Sequence, residues 1–149
     1  MKVLVQRVLQ ASVTVDNVEI ARIGEGLLAL VGIAREDTEE ICDKMAKKVA
    51  ALRIFDDALG VMNLSLKDVG GEALSVSQFT LCANTARGNR PSYINAAGHE
   101  LAVPLYNRFC GKLEAETGKV VQRGKFGADM KVSLVNNGPV TIILDSDVW

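Results

Sequence analysis

Strand-like patterns at both ends of the chain, with only two helix-like segments between them, restrict the fold more than any other feature of the sequence. Residues 3–15 are rich in valine and alternate in places between apolar and polar side chains, which is typical of a strand. Asp16 and Asn17 supply turn chemistry and residues 18–23 alternate again, so these segments predict a β-hairpin. The continuous apolar run at 27–33 predicts a strand that is buried on both faces.

Two amphipathic helices are predicted between the strands. Asp37 and Glu40 form a capping box for the first helix, whose apolar stripe then follows helical spacing at Ile41, Met45, Val49 and Leu52. The second helix ends at Gly118, and Pro104 is compatible with it only within its first turn. Its apolar positions are Leu101, Leu105, Phe109 and Leu113.

The remaining pattern completes the prediction of the fold class. A turn at 136–139 separates the last two of the further predicted strands, which lie at 61–64, 73–81, 120–121, 130–135 and 140–144. Two helices cannot cover both faces of so many strands, so part of the sheet must pack on another sheet or on another subunit. The sequence therefore predicts an α+β layered fold. Because no linker, repeat or low-complexity stretch divides the chain, we expect a single domain over residues 1–149.

Composition removes several classes of function. A formal net charge of -1 disfavours a protein that binds polyanions over its whole surface. The single histidine, His99, opens the second predicted helix, where a surface or capping role is the simpler interpretation. The cysteines show no zinc-like spacing, so we expect no metal, no other cofactor and free thiols at Cys42, Cys82 and Cys110. The first eleven residues lack an apolar core of signal-peptide or membrane-span length, so we expect a cytoplasmic protein without a membrane partner.

The near-zero net charge hides a local excess of positive charge. The stretch 87–131 carries eight basic and four acidic residues. Such a face can contact phosphates while the molecule as a whole stays near neutral. On charge alone, however, an ordinary solvated surface is the better explanation.

The segment 77–81, Ser-Gln-Phe-Thr-Leu, is the first candidate for chemistry. Alternation along a strand places Gln78 and Thr80 on one face, and Ser77 and Phe79 on the other. An amide beside a hydroxyl at a strand end can bind an acyl carbonyl. A hydroxyl nucleophile needs a base, however, and the sequence places none nearby. The alternative is a polar pair that faces solvent at a sheet edge.

The segment 136–141, Asn-Asn-Gly-Pro-Val-Thr, is the second candidate. A Gly-Pro bond adopts the cis form at modest cost in free energy, and a cis-proline in a tight turn usually serves a specific purpose. In that geometry two carbonyl oxygens can point the same way and form a backbone acceptor pair for an ammonium group. The alternative is an ordinary hairpin turn.

Together these segments resemble the signatures of the D-aminoacyl-tRNA deacylases, and the resemblance covers nearly the whole chain. Residues 77–81 match the first signature and residues 136–141 match the second, at the right separation. Many members have Asp at the position of Asn137, where the pattern is loose. The flanking matches lie at 5–8, 11–13, 53–55, 62–64, 88–92 and 126–130.

The resemblance implies an architecture and a location for the site. It implies a three-layer β-β-α sandwich with mostly antiparallel sheets and two main helices. It also implies a homodimer whose active site lies at the subunit interface. In the family, the cis Gly-Pro bond of one subunit reaches into the pocket of the other, and here this bond is Gly138-Pro139.

The resemblance also implies the roles of individual residues. Gly138 and Pro139 would hold the α-amino group of the substrate and exclude the side chain of an L-residue, while D-residues and glycine fit. Arg7 and Asn136 would support this turn. The pocket around the scissile ester and the terminal adenosine would be lined by Ser77 as a binding residue and by Gln78, Phe79 and Thr80 as the catalytic set.

The implied reaction is hydrolysis of the ester between a D-amino acid and the 3′ end of tRNA, a proofreading step in translation. Because an aminoacyl ester is already activated, positioning and oxyanion stabilisation can suffice. We therefore expect Thr80 to orient the reactants rather than attack, with the substrate's 2′-hydroxyl assisting a water. Two other classes compete with this interpretation. A nonenzymatic RNA-binding module should show aromatic platforms or a dense basic groove, whereas aromatic residues are only 5% here and the basic stretch is modest. A general ester hydrolase should show a nucleophile beside a base, and the sequence shows none.

Overall fold

The computed structural model describes all residues from 1 to 149 and contains eight strands and two helices. The strands are β1 (Lys2–Val15), β2 (Val18–Ile23), β3 (Gly26–Gly32), β4 (Phe55–Asp56), β5 (Met62–Leu64), β6 (Glu72–Ser77), β7 (Val121–Arg123) and β8 (Lys131–Asp145). The helices are α1 (Glu39–Ala51) and α2 (His99–Thr117), and two short 3-10 turns lie at Phe79–Cys82 and Ser146–Val148. No helix combines the length and the hydropathy that crossing a membrane requires.

Most of the other strands attach directly or indirectly to β1. On one edge β1 pairs antiparallel with β8 from Lys2 to Thr14. On its other edge the first half of β1 pairs with β3 and the second half with β2, both antiparallel. The next strands are parallel, with β6 beside β3 and β7 beside β6. A separate antiparallel hairpin consists of β4 and β5.

Alternation along the central strands separates two apolar cores. Val3 and Val5 of β1 and Leu27 and Ala29 of β3 belong to the larger core, which includes buried residues of both helices. Leu28 points to the opposite face, where it meets residues of β2, β6 and the second half of β1. The sheet thus folds over itself along β1, because β2 packs against β6 without pairing with it. This arrangement of helices, sheet and sheet confirms the predicted β-β-α fold class.

The end of α2 follows the prediction, but its start does not. Gly118 ends the helix with a φ of 72°, and its N–H donates to the Glu114 carbonyl at 2.8 Å. The restriction of Pro104 to the first turn is wrong, because α2 begins at His99. Proline leaves the Glu100 carbonyl without its helical donor, and both residues are exposed, so water can solvate that carbonyl.

The residue that caps α1 also differs from the prediction. Thr38 is the cap, and its Oγ1 accepts a hydrogen bond from the Ile41 N–H at 3.4 Å. Asp37 is instead buried, and its Oδ2 accepts from the Ala34 N–H at 2.6 Å. Asp37 therefore closes the turn between β3 and α1, because the N–H of Ala34, three residues earlier, lies within reach of its carboxylate. The buried face of α1 consists of Cys42, Met45, Ala46, Val49 and Ala50.

Candidate active site

The segment that follows β6 lies at an exposed end of the sheet. The strand ends at Ser77, and the chain then turns into the 3-10 segment. The predicted strand through Leu81 is wrong, because the Gln78 carbonyl accepts from the Leu81 N–H at 3.2 Å instead of pairing with a neighbouring strand. Gln78 and Thr80 therefore do not lie on one face of a strand.

Gln78 and Thr80 nevertheless meet through their side chains. The Gln78 Nε2 donates a hydrogen bond to the Thr80 Oγ1 at 2.6 Å, and Thr80 is exposed. An amide does not accept a proton at neutral pH, so this contact cannot activate the hydroxyl as a nucleophile. The contact can instead hold both groups in fixed positions as hydrogen-bonding partners for a substrate.

A cleft of about 370 Å³ opens beside this segment, and most of its lining side chains are apolar. Its lining includes Ser77, Gln78 and Phe79, together with His99 at the start of α2 and Phe126 from the loop before β8. The ring of Phe126 meets the His99 ring edge-on, with 5.4 Å between the ring centroids. The cleft thus combines apolar walls with a few polar groups at the strand end, as small-molecule sites commonly do.

Sequence reasoning missed two residues of this cleft as site residues. His99 is exposed, as predicted, and it is not the cap of α2, because Gly98 occupies that position. Phe126 is supported from behind by the buried Tyr106, with 5.8 Å between the ring centroids. The hydroxyl of Tyr106 donates to the Ser75 carbonyl at 2.9 Å, and burial raises the pKa of Tyr106. The signal in the sequence that could have identified Phe126 was an aromatic residue followed by glycine, in a chain with few aromatic residues.

The second signature lies inside β8. The prediction of two strands joined by a hairpin turn is wrong, because β8 runs continuously through the segment and pairs with β1 on both sides of it. The register between the two strands shifts between Gln6 and Val8, so the segment bulges away from β1. The Gly138-Pro139 bond is cis, as the resemblance implies, and both residues are exposed.

Arg7 of β1 holds this bulge in place. Its Nε donates to the Asn137 carbonyl at 3.1 Å, and its guanidinium also donates to the Ile54 carbonyl at 2.7 Å. The same guanidinium forms an ion pair with Asp56 at 3.1 Å, and the Arg7 side chain is buried. On the other side of the bulge, the Asn136 Nδ2 donates to the Arg7 carbonyl at 2.9 Å. Backbone and side chain of Arg7 are therefore both bonded to the bulge.

Within one chain, the two signature segments do not form one pocket. Gly138 and Pro139 are absent from the lining of the cleft that contains Ser77, and no hydrogen bond links the two segments. Asn137 instead borders a second cleft of about 320 Å³, next to Arg7 and Asp56. No three His, Cys, Asp or Glu side chains converge as they would to hold a metal ion.

The three cysteines are all free and buried, so none presents a thiolate to either cleft. Burial raises the pKa of Cys42 to about 11, with a smaller contribution from nearby Asp37. Burial also raises the pKa values of Cys82 and Cys110. Because only the thiolate is a good nucleophile, none of these residues is suited to covalent catalysis near neutral pH.

Comparison with solved structures defines the class of fold. The structure matches one described as "c-Myc DNA Unwinding Element Binding Protein" with a TM-score of 0.92 and 42% sequence identity, over 98% of this chain and 99% of that chain. It also matches a structure described as a probable eukaryotic D-amino acid tRNA deacylase, with a TM-score of 0.82, over 96% of this chain and 97% of that chain. At 18% identity, the second match shows the fold alone.

Comparison of sequences defines the family. The family model for D-Tyr-tRNA(Tyr) deacylase matches residues 4–145. A protein of Flavobacterium psychrophilum named D-aminoacyl-tRNA deacylase is 59% identical over 146 residues, which are 98% of this chain and 97% of that protein. A protein of Chromobacterium violaceum with the same name is 58% identical over the same shares. The chain belongs to the D-Tyr-tRNA(Tyr) deacylase family.

We predict that the folded protein resists alkylation of its thiols. At pH 8, iodoacetamide should modify none of the three cysteines over a time in which a free peptide thiol reacts completely, because burial keeps them protonated and inaccessible. After unfolding in guanidinium chloride, the same sample should gain three modifications, measured by intact mass. A single cysteine that reacts rapidly in the folded protein would contradict this prediction.

Proposed function

We propose that this protein hydrolyses the ester between a D-amino acid and the 3′ end of tRNA, and so removes D-amino acids before they reach translation. The observation that carries the proposal is the family match over residues 4–145, together with relatives named D-aminoacyl-tRNA deacylase, one of them 59% identical. The whole chain, 1–149, acts as one domain of this enzyme, in the cytoplasm where charged tRNA is used.

The chemistry of the first cleft agrees with an activated substrate. An aminoacyl ester needs a positioned water and stabilisation of the oxyanion more than it needs a strong nucleophile. Ser77, Gln78 and Phe79 line the cleft, and the Gln78 amide is a donor suited to a carbonyl oxygen. Thr80 orients Gln78 through the 2.6 Å contact, and the neighbouring 2′-hydroxyl of the substrate assists the attacking water.

Selection of the D-enantiomer follows from a backbone wall. The exposed Gly138-Pro139 segment offers carbonyl oxygens to the α-amino group of the substrate and leaves no space for an L side chain. Arg7 and Asn136 hold this wall rigid through the hydrogen bonds described above. A D side chain projects away from the wall, so many D-residues are accepted. Glycine, which lacks a side chain, is accepted for the same reason, including glycine that is mischarged on tRNA-Ala.

A homodimer completes the site. The support for this proposal is the separation of the two signature segments within one chain, together with the unpaired outer edge of β8. Leu9, Val135 and Ile143 expose apolar side chains on β1 and β8. In this dimer, Gly138-Pro139 of one subunit enters the Ser77-lined cleft of its partner, so that each active site contains residues of both chains.

We predict selective hydrolysis of the D-ester. Incubation with D-Tyr-tRNA and L-Tyr-tRNA should release tyrosine rapidly from the first and at the spontaneous rate from the second, because the backbone wall excludes the L side chain. Release is followed by acid precipitation of labelled aminoacyl-tRNA. Hydrolysis of both esters would indicate a general ester hydrolase. Hydrolysis of neither would indicate an RNA-binding module, and either result overturns the proposal.

We predict that the Thr80→Ala variant remains an active enzyme. If Thr80 only orients Gln78, the loss is that of one hydrogen bond, or roughly 2- to 10-fold in kcat/KM for D-Tyr-tRNA. The Thr80→Ser variant, which keeps the hydroxyl, should match the wild type. Trapping of an acyl-Thr80 intermediate in acid-quenched reactions would show that Thr80 attacks the substrate.

We predict that the Gly138→Ala variant loses activity. Gly138 has a φ of +124°, and an added Cβ would lie 2.9 Å from Val140 Cγ2 and 3.0 Å from an Arg7 nitrogen. Overpacking of this kind costs about 1–3 kcal/mol. If that cost falls on the bound transition state, kcat/KM for D-Tyr-tRNA decreases roughly 5- to 150-fold.

The control is the Gly60→Ala variant, at a position with a φ of +75° and no atom within 4 Å of the added Cβ. It tests the effect of a positive φ alone, and it should hydrolyse D-Tyr-tRNA as the wild type does. Full activity of Gly138→Ala would refute capture of the substrate by this backbone.

A further inference from the structure

An exposed pair of aromatic rings lies at the border of the Ser77-lined cleft. Phe79 lines the cleft and is 56% exposed, and Tyr93 beside it is 39% exposed. Their ring centroids are 5.0 Å apart, with an angle of 67° between the planes. Edge contact with Phe79 therefore fixes the position of Tyr93 while its ring stays partly open to solvent. Rings presented in this way are suited to stacking with nucleic acid bases.

A closed loop between these two rings carries two free positive charges. Asn84 and Ser92 exchange two backbone hydrogen bonds, of 2.8 and 2.9 Å, and so fix the base of the loop. Arg87 and Arg90 lie within it, and both are exposed. We call residues 84–93, which include Tyr93, the arginine loop.

The charges of the arginine loop have no partners in the protein. Arg87 and Arg90 occur in none of the salt bridges or side-chain hydrogen bonds of the structure, and no acidic residue lies between positions 83 and 98. Arg22, Arg108 and Arg123, in contrast, each bind a carboxylate. Two unpaired guanidinium groups beside an exposed ring are complementary to a single strand of nucleic acid, because the guanidinium groups can bind its phosphates and the ring can stack on an unstacked base.

We propose that the arginine loop binds the single-stranded nucleotides that precede the terminal adenosine of the substrate tRNA. Arg87 and Arg90 contact their phosphates, and Tyr93 stacks on a base. This proposal rests on the proposed function, which places the terminal ester at the Ser77-lined cleft. The loop begins two residues after the 3-10 turn Phe79–Cys82, so the strand of RNA that leaves the cleft passes directly over it.

An acidic protein segment is the other partner that these charges could attract. The nucleic acid is favoured because the exposed ring belongs to an aromatic pair that continues into the cleft, where the substrate's own 3′ end would be bound. A surface of this kind also explains how a chain with a net charge of -1 can bind RNA, since only a local positive surface is needed.

The test compares two double variants with the same change of charge. Arg87→Ala with Arg90→Ala removes the loop charges, and Lys47→Ala with Lys48→Ala removes two exposed, unpaired charges from α1. Hydrolysis of D-Tyr-tRNA is compared with hydrolysis of D-tyrosyl-adenosine, which carries the same ester without further nucleotides. We expect the arginine variant to raise KM for D-Tyr-tRNA about ten-fold at similar kcat. The effect on D-tyrosyl-adenosine should be at least several-fold smaller, and the lysine variant should behave as the wild type does.

Salt dependence provides a readout that a merely structural defect would not change. Each phosphate contact to a single strand contributes about 0.7 to the slope of log affinity against log salt concentration. The arginine variant should therefore lose about 1.4 from this slope, if both contacts are made. A separate pair of variants tests stacking. Tyr93→Ala should raise KM for D-Tyr-tRNA about ten-fold, whereas Tyr93→Phe, which keeps the ring, should leave KM at the wild-type value.

Direct binding separates failure of this inference from failure of the proposed function. An acceptor-stem hairpin that carries no amino acid and ends in a 3′ single strand should bind the wild type at least several-fold more tightly than the same hairpin without that strand. The arginine variant should lose this difference even if the protein proves not to hydrolyse D-Tyr-tRNA. Equal effects of the arginine and lysine variants on KM, slope and hairpin binding would overturn the inference and favour a protein partner for the loop.

Discussion

The pairing of β1 with β8 is the interaction on which the rest of the structure depends. It runs from Lys2 to Thr14 of β1 and is interrupted where β8 bulges at the second signature. The buried guanidinium of Arg7 fills this interruption, with bonds to the Asn137 and Ile54 carbonyls and to Asp56. Hydrogen bonds to charged groups contribute about 1.5–3 kcal/mol each. The bulge is therefore a rigid part of the sheet and not a mobile loop.

A rigid backbone is also what the proposed chemistry requires. A wall of main-chain atoms distinguishes enantiomers by the volume that it occupies, and it needs no contact with the side chain of the substrate. The rest of the site follows the same principle. The cysteines are buried with raised pKa values, Thr80 faces only an amide, and the apolar cleft presents a few fixed hydrogen-bonding groups. In the function that we propose, such a site acts by positioning and by oriented dipoles, which is sufficient for an ester that is already activated.

Local patterns predicted those elements whose neighbours along the chain determine them. The hairpin of β1 and β2, the apolar strand β3 and the end of α2 at Gly118 follow from alternation, turn residues and a left-handed glycine. Predictions failed where a distant backbone group decided the outcome. Asp37 lost its capping role to Thr38 because its carboxylate accepts a hydrogen bond from the amino group of Met1, 36 residues earlier in the chain. Likewise, β8 continues through Gly138 because β1 supplies partners on both sides of the bulge.

By itself, the sequence determined the α+β layered fold and both signature segments, because the hydrophobic period and the residue types are written locally. The three-layer β-β-α arrangement followed from the resemblance to the family. The tertiary structure decided how those segments are presented. It placed Phe126 and His99 around the cleft and directed the side chain of Arg7 to the bulge. It also kept the two signatures apart within one chain. The physical reason is that each of these features depends on hydrogen bonds and packing between residues far apart in sequence, which no local pattern encodes.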